Sequence, residues 1–268
     1  MLCCACACAF AGAAPARGQG STPDELLNQI GFDQKLDAQV PLDLSFRDEG
    51  GRVVRLGDEL GGKPAILVLA YYECPNLCTM VLTGLADGLR QVALGMGAQY
   101  DVVTVSIDPR EGPALAAAKK ATYLDRYGRP GGDAGWHFLT GEQASIARLA
   151  RAIGFRYAYD AKQDQFAHPA GIVVLTPQGK IARYFYGIEF APRDLRLGLV
   201  EASSGAIGTP IDQVLLRCYH YDPAAGSYTL IVENVVRLAS AVTVLLVGVC
   251  LFALFRRERR VLRLGIRD

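Results

Sequence analysis

The sequence predicts an α/β domain followed by an apolar C-terminal helix, and three observations carry this fold class. Apolar runs of strand length alternate with amphipathic helical patterns between residues 38 and 203. Two cysteines, Cys74 and Cys78, lie where the first buried strand passes into a helical pattern. Near the C-terminus, residues 238–255 contain no charged side chain.

Each element of the α/β domain has its own local signal. Two continuous apolar runs, 65–72 and 101–107, have the length of central strands that are buried on both faces. The other predicted elements are a hairpin of segments 40–46 and 52–56, a helix opened by Pro75, a helix from Pro113 to about Tyr127, a strand from Trp136 to Leu139, a helix to Ile153 opened by a capping box at 140–143, an extended segment 156–159, a hairpin of 172–176 and 181–186, and a helix from Pro192 to Ala202. The order β-α-β-α-β-β-α, with paired cysteines at the first βα junction, is that of a thioredoxin-like fold.

The two ends of the chain predict export and anchoring. Residues 235–255 are apolar over about 20 positions, the length of a transmembrane helix. Six arginines follow in the last thirteen residues, and a basic flank predicts a cytoplasmic tail at 256–268. Residues 1–16 resemble a signal peptide that lacks the basic start, residues 17–37 a tether, and residues 204–234 a linker. We therefore expect a periplasmic domain at 38–203 with a C-terminal single-pass anchor in the inner membrane.

Composition narrows the function classes. With 268 residues, of which 51% are hydrophobic, the chain can form a packed domain. The net charge of +1 gives no sign of a nucleic-acid partner. Four of the eight cysteines (Cys3, Cys4, Cys6 and Cys8) fall in the leader-like segment and are interpreted as its small apolar residues, with a metal cluster or lipidation as alternatives. The four remaining cysteines are too few for a fold held together by disulfides, which favours a role in metal binding or redox chemistry.

Cys74 and Cys78 are four residues apart at the start of a predicted helix. Side chains at that spacing share one helix face, close enough for a disulfide or for one metal ion. If Pro75 takes the first helical position, Cys74 is the N-cap, where free N–H groups and the helix dipole lower a thiol pKa. The pair is thus suited to thiol–disulfide exchange or to metal binding, and a structural disulfide is the plainer alternative.

His168 is the predicted third ligand. It precedes the strand at 172–176, and in a thioredoxin-like fold that loop faces the first βα junction. Two thiolates favour Cu(I), an added imidazole also suits Cu(II), and zinc normally requires a fourth ligand. His137 is interpreted as a packing or surface residue, and Asp108 as a turn residue. Cys218 and His220 are interpreted as structural, with an auxiliary copper site as the alternative.

Three segments together resemble the SCO/SenC proteins, which are membrane-anchored, thioredoxin-like copper chaperones for cytochrome c oxidase assembly. They are the run ending in Cys74-Pro-Asn-Leu-Cys78, the strand end Ser106-Ile-Asp-Pro109, and His168 before the segment 172–180. The resemblance implies that Cys74, Cys78 and His168 bind copper. It also implies delivery to the dinuclear copper centre of oxidase subunit II, with other periplasmic copper chaperones as further partners.

The chain departs from this family pattern at two points. Many members carry an N-terminal anchor, whereas here the predicted anchor is C-terminal. Ala167 and Pro169 flank His168 where Asp and Ser or Thr are common, so the carboxylate that could orient the imidazole is absent.

Three function hypotheses from different classes follow from the cysteine pair. The first is a copper-binding assembly factor, and the second is a periplasmic thiol–disulfide oxidoreductase that reduces subunit II or another client with Cys74 and Cys78. The third, a thiol peroxidase of the same fold, lacks the Thr that such enzymes place three residues before the reactive Cys. Whether the protein is an enzyme is left open by the sequence.

Overall fold

A computed structural model describes residues 29–74, 76–204, 219–222, 227–230, 236, 239–249, 251–252 and 256. Its elements, in chain order, are β1 Gly31–Phe32, β2 Ser45–Arg47, β3 Val53–Arg55, α1 Leu56–Glu59, β4 Ala65–Ala70, α2 Leu77–Gln91, β5 Asp101–Ser106, α3 Pro113–Tyr127, α4 Gly132–Gly135, β6 Trp136–Leu139, α5 Gln143–Ala152, β7 Phe155–Arg156, β8 Ala158–Asp160, β9 Gln165–Ala167, β10 Gly171–Leu175, β11 Ile181–Tyr186, α6 Pro192–Ala202, β12 Tyr219–Asp222 and β13 Ser227–Leu230.

The centre of the domain is a mixed sheet of five strands in the order β11-β10-β4-β5-β6. Strands β4, β5 and β6 run parallel, while β10 pairs antiparallel with both β4 and β11. Every residue of β4, β5 and β10 is buried, as expected for strands covered on both faces. The predicted α/β thioredoxin-like fold is confirmed. It brings the carboxyl ends of β4 and β5 together at one edge of the sheet.

Helix α2 carries Cys78 and packs against α3 and α6. Its apolar positions, among them Val81, Leu82 and Leu85, are buried in the core. The chain leading into α6 approaches the backbone of α2 closely at Gly84, where a β-carbon would lie 1.9 Å from the Ile188 carbonyl oxygen. The absence of a side chain at Gly84 therefore sets how closely α2 packs.

Strongly patterned elements match their predicted bounds. The helix Pro113–Tyr127, the strand Trp136–Leu139, the strand Ile181–Tyr186 and the helix Pro192–Ala202 lie where the sequence places them. In both helices Pro occupies the first turn, where a backbone N–H would have no intrahelical partner in any case.

Two predicted helix starts are wrong. Helix α2 begins at Leu77 with Asn76 as N-cap, so Cys74 precedes the helix instead of capping it. Helix α5 begins at Gln143 with Glu142 as N-cap, and no capping-box hydrogen bond forms. Thr140 instead makes a backbone bridge with Arg47, because pairing with the β2 segment satisfies its main-chain groups.

The short strands β1 and β9 were not predicted. Strand β1 pairs with β7, and strand β9 pairs with β8 in a hairpin. Phe32 of β1 lies against the rings of Phe155 and Tyr184, at 5.3 Å and 5.7 Å between centroids. Ordered contacts with the domain thus begin before residue 38.

The predicted C-terminal transmembrane helix is contradicted. None of the helices among the described residues is both long and apolar enough to cross a membrane.

Several predicted features lie outside the described residues. They are the leader 1–16 with its four cysteines, residues 17–28 of the tether, Pro75, most of the linker 204–234 with Cys218, Cys250 and the basic tail after residue 256.

Candidate metal centre

The two cysteines lie at the carboxyl end of β4, on either side of the start of α2. The Cys78 N–H points to Cys74 Sγ at 3.4 Å, and the Tyr71 N–H points to Cys78 Sγ at 3.4 Å. Both thiols are free, and Cys74 and Cys78 are 6% and 1% exposed. Backbone N–H groups of the strand-to-helix connection therefore stabilise sulfur charge in place of the predicted N-cap arrangement.

His168 directly follows β9 and reaches the same point from the other side. Its Nε2 lies 2.7 Å from Cys78 Sγ, and its Nδ1 lies 3.0 Å from the Pro169 carbonyl oxygen. A carbonyl oxygen only accepts hydrogen bonds, so Nδ1 carries the proton and Nε2 offers its lone pair towards the sulfurs. The Pro169 carbonyl group thus orients the imidazole, the role that an Asp beside His168 could have filled.

The predicted ligand set comes together as one cluster. One ligand atom from each of Cys74, Cys78 and His168 lies within 4.8 Å of the others, and all three residues are buried. The rings of Tyr71 and Phe155 each lie 6.0 Å from the imidazole and shield it from water. Two sulfurs and one imidazole in an apolar pocket are a donor set that fits copper, because soft thiolate ligands select Cu(I).

The two thiols differ in acidity although they lie side by side. The side-chain hydrogen bond with Cys78 lowers the pKa of Cys74 well below that of an ordinary thiol, although burial of Cys74 acts in the opposite direction. Burial is the main cause of the raised pKa of Cys78, and the neighbouring Cys74 thiolate raises that pKa further. Cys74 is therefore the thiolate of the metal-free pair.

Glu111 is a contributor to the site that the sequence analysis missed. Its carboxylate accepts hydrogen bonds from the Tyr72 N–H at 2.8 Å and the Glu73 N–H at 2.7 Å, directly before Cys74. The Ser106 hydroxyl also donates to it, and burial raises its pKa. Glu111 thereby holds the connection that carries the cysteines. Its position between two prolines after a strand is typical of a loop and gave no sign of this contact.

The remaining candidate residues lie apart from the cluster or outside the described chain. His137 is bonded through Nδ1 to Glu59 Oε2 at 2.7 Å. Asp108 accepts the Arg110 N–H at 2.9 Å, the turn-residue contact that the sequence predicts. Cys218 is not described, and of His220 only the backbone in β12 is described.

Comparison with known proteins decides the family. The SCO1/SenC family matches residues 34–196, well over half of the chain. The chain belongs to the SCO1/SenC family. The resemblance carried by the Cys74–Cys78 motif and His168 is thereby confirmed.

Two solved structures share the fold of this SCO1/SenC domain, and a third is a weaker match. A putative electron transfer protein from Aquifex aeolicus is 25% identical, with a TM-score of 0.55 over 64% of this chain and 96% of that one. A putative electron transport protein from the same organism is 24% identical, with a TM-score of 0.52 over 63% and 99%. The copper-bound ScoI of Bradyrhizobium japonicum is 20% identical, with a TM-score of 0.46 over 63% and 99%. No curated protein matches the chain.

Proposed function

We propose that this SCO1/SenC-family protein is a copper chaperone that delivers copper to the dinuclear centre of cytochrome c oxidase subunit II. Copper would be held by Cys74, Cys78 and His168, and the domain would work in the periplasm, as the leader-like segment predicts. The observation that carries the proposal is the His168 imidazole, whose Nε2 faces the buried thiols while Nδ1 is held by Pro169. A thiol exchange catalyst has no need of that third ligand.

A copper-transfer assay tests this proposal. The purified protein is loaded with one equivalent of Cu(I) and mixed with the metal-free, reduced dinuclear-copper domain of an oxidase subunit II. We expect transfer by the wild-type protein and a loss of copper affinity of at least about tenfold in His168→Ala, because one of three ligands is gone.

His137→Gln is the matched control, since it removes an imidazole from a site bonded to Glu59 and away from the thiols. It should bind and transfer copper as the wild type does. Equal copper affinity in His168→Ala and wild type would contradict the three-ligand site. Binding without transfer would contradict the delivery role.

The second candidate, a thiol–disulfide reductase, is favoured by the lowered pKa of Cys74. The Cys74 thiolate would attack a client disulfide, and Cys78 would resolve the mixed disulfide, leaving a reduced client and an oxidised Cys74–Cys78 pair. Stoichiometric reduction of an oxidised subunit II domain that proceeds equally well in His168→Ala would favour this role.

A further inference from the structure

His168 is carried into the site by a small hairpin that stands apart from the central sheet. In the part of the chain that the structure describes, strands β8 and β9 form a two-stranded sheet of their own, with Ala158 opposite Ala167. His168 is the next residue after β9. The position of the imidazole relative to the thiols therefore depends on what fastens this hairpin to the end of the sheet that carries the cysteines.

Arg110 makes that connection with one guanidinium group. Its Nε and Nη2 bind both oxygens of Asp108, at distances from 2.7 Å to 3.0 Å, just beyond the end of β5. Its Nη1 binds Asp164 Oδ1 at 2.9 Å, in the turn that joins β8 to β9. Because the Asp108 side chain is only 7% exposed, Arg110 is fixed at the sheet end while it holds the hairpin.

An aromatic path continues from Arg110 to the imidazole. The guanidinium carbon lies 5.4 Å from the centre of the Tyr159 ring and 5.9 Å from that of Phe166, one residue on each hairpin strand. The Phe166 ring contacts the Tyr71 ring at 5.7 Å, and the Tyr71 ring contacts His168 at 6.0 Å. These distances are typical of cation–π and edge-to-face contacts.

The size of the ionic contribution shows what kind of role Arg110 has. Its side chain is 55% exposed and that of Asp164 is 70% exposed, so their ion pair is worth little to global stability. Arg110 nevertheless binds both carboxylate oxygens of Asp108 and stacks on the Tyr159 and Phe166 rings, and these contacts together fix one orientation of the side chain. A Lys side chain lacks the planar guanidinium that makes them. Arg110 thus restrains the hairpin position without adding much to the free energy of unfolding.

We propose that Arg110 is a positioning residue for His168, which clamps the β8–β9 hairpin to the end of β5 and so completes the metal site. The inference deepens the proposed function and rests on it only for its copper readout. Neither Arg110 nor Asp164 contacts the ligand atoms. Their effect on bound copper must therefore pass through the hairpin.

Two substitutions break the clamp from opposite sides. Arg110→Gln removes the guanidinium, and Asp164→Asn weakens the hairpin contact while leaving the Arg110–Asp108 pair intact. Arg110→Lys keeps the positive charge but lacks the planar guanidinium, so it should keep only part of the wild-type protection of the hairpin and of the copper affinity. Arg126→Gln is the control, because the Arg126–Asp87 pair at 2.5 Å is also a surface pair, 44% and 36% exposed, on helices away from the hairpin.

The first readout uses the metal-free protein, so it does not depend on copper binding. Amide hydrogen exchange of residues 158–168 should be about tenfold faster in Arg110→Gln and Asp164→Asn than in wild type, since the hairpin opens locally without global unfolding. The thermal unfolding midpoint should change little. Unchanged exchange in both variants would overturn the proposal whatever the protein does with copper.

The second readout is the copper-loaded protein. In both variants we expect about tenfold weaker binding and a changed nitrogen hyperfine signature of Cu(II), the result of a misplaced imidazole, with Arg126→Gln matching wild type. Faster exchange with an unchanged affinity and spectrum would overturn the positioning role. If wild type bound no copper, the proposed function would fail, while Arg110 would be judged by exchange and by the NMR shifts of the His168 ring.

Discussion

Two chemically identical residues, Cys74 and Cys78, have different roles because of where their sulfurs lie. Cys74 precedes helix α2 and accepts the Cys78 N–H, whereas Cys78 is buried in the first turn next to His168. The pKa of Cys74 is lowered chiefly by its hydrogen bond with Cys78, and the pKa of Cys78 is raised chiefly by burial. One thiol is thus charged at neutral pH, and the other loses its proton only when a metal or a disulfide requires it.

The pH dependence of alkylation tests this difference. In the reduced, metal-free protein, Cys74 should react with iodoacetamide with a midpoint below the value of about 8.5 for a free thiol, while Cys78 stays unreacted. Cys78→Ala should raise the Cys74 midpoint, because it removes the Cys78 thiol, whose side-chain hydrogen bond lowers the pKa of Cys74, while the backbone N–H of residue 78 remains. Site-resolved mass spectrometry measures both rates. A Cys74 midpoint at or above 8.5 in wild type would contradict the assignment.

The lowered pKa of Cys74 also determines the direction in which the stability of the protein changes with pH. Because the pKa of Cys74 is lower in the folded than in the unfolded chain, its ionisation stabilises the fold fully above the unfolded value. That stabilisation falls away as pH drops towards the folded value. Cys74→Ala should therefore narrow the difference in stability between pH 9 and pH 6, as measured by urea unfolding.

Among the elements, helix α2 shows how packing places the site. Val81, Leu82 and Leu85 bury one face of the helix, and the chain at Ile188 lies directly against its backbone at Gly84. A shift of α2 would carry Cys78 away from His168, since the cysteine lies in the first turn. The close approach at Gly84 is therefore part of the geometry of the metal centre.

Gly84→Ala should destabilise the protein by about 2 kcal/mol, because the added β-carbon overlaps the Ile188 carbonyl by more than the Ala helix preference offsets. Gly95→Ala is the control, as its β-carbon would meet its nearest atoms at 3.6 Å and 3.8 Å, ordinary contact distances. Chemical denaturation measures both. Equal midpoints for Gly84→Ala and wild type would show that α2 is not held by this contact.

Elements were predictable where the signal is local. The helix Pro113–Tyr127 has Pro in its first turn and Gly128 as its left-handed C-cap, and its bounds follow from those residues. The start of α2 was not predictable from Pro75, because the conformation before Leu77 depends on contacts made elsewhere. Glu111 holds Tyr72 and Glu73 from 39 and 38 residues away, and Arg110 binds Asp164 across 54 residues. No local pattern records such pairs.

For the whole molecule, the ligand set was predictable because the fold's topology joins the first βα junction to the loop before β10. The N-terminal bound of the domain was harder to predict, because the sequence analysis placed it at residue 38. The described contacts extend back to β1, where Gly31 and Phe32 pair with Arg156 and Phe155. Strand β7 directly precedes the β8–β9 hairpin, so this N-terminal pairing also braces the segment that carries His168.

A chain that begins at residue 38 should therefore be less stable than one that begins at residue 29. We expect a loss of about 2 kcal/mol, since Phe32 gives up its ring contacts with Phe155 and Tyr184. Thermal and denaturant unfolding of the two forms measure the difference. Identical unfolding curves would show that residues 29–37 add nothing to the stability of the domain.

The central claim, that Cys74, Cys78 and His168 together hold copper, is tested most directly by X-ray absorption on the protein loaded with one equivalent of Cu(I). We expect two sulfur ligands and one nitrogen ligand per copper in wild type, and loss of the nitrogen in His168→Ala but not in His137→Gln. A copper bound by more than two sulfurs, or a nitrogen ligand that persists in His168→Ala, would contradict it.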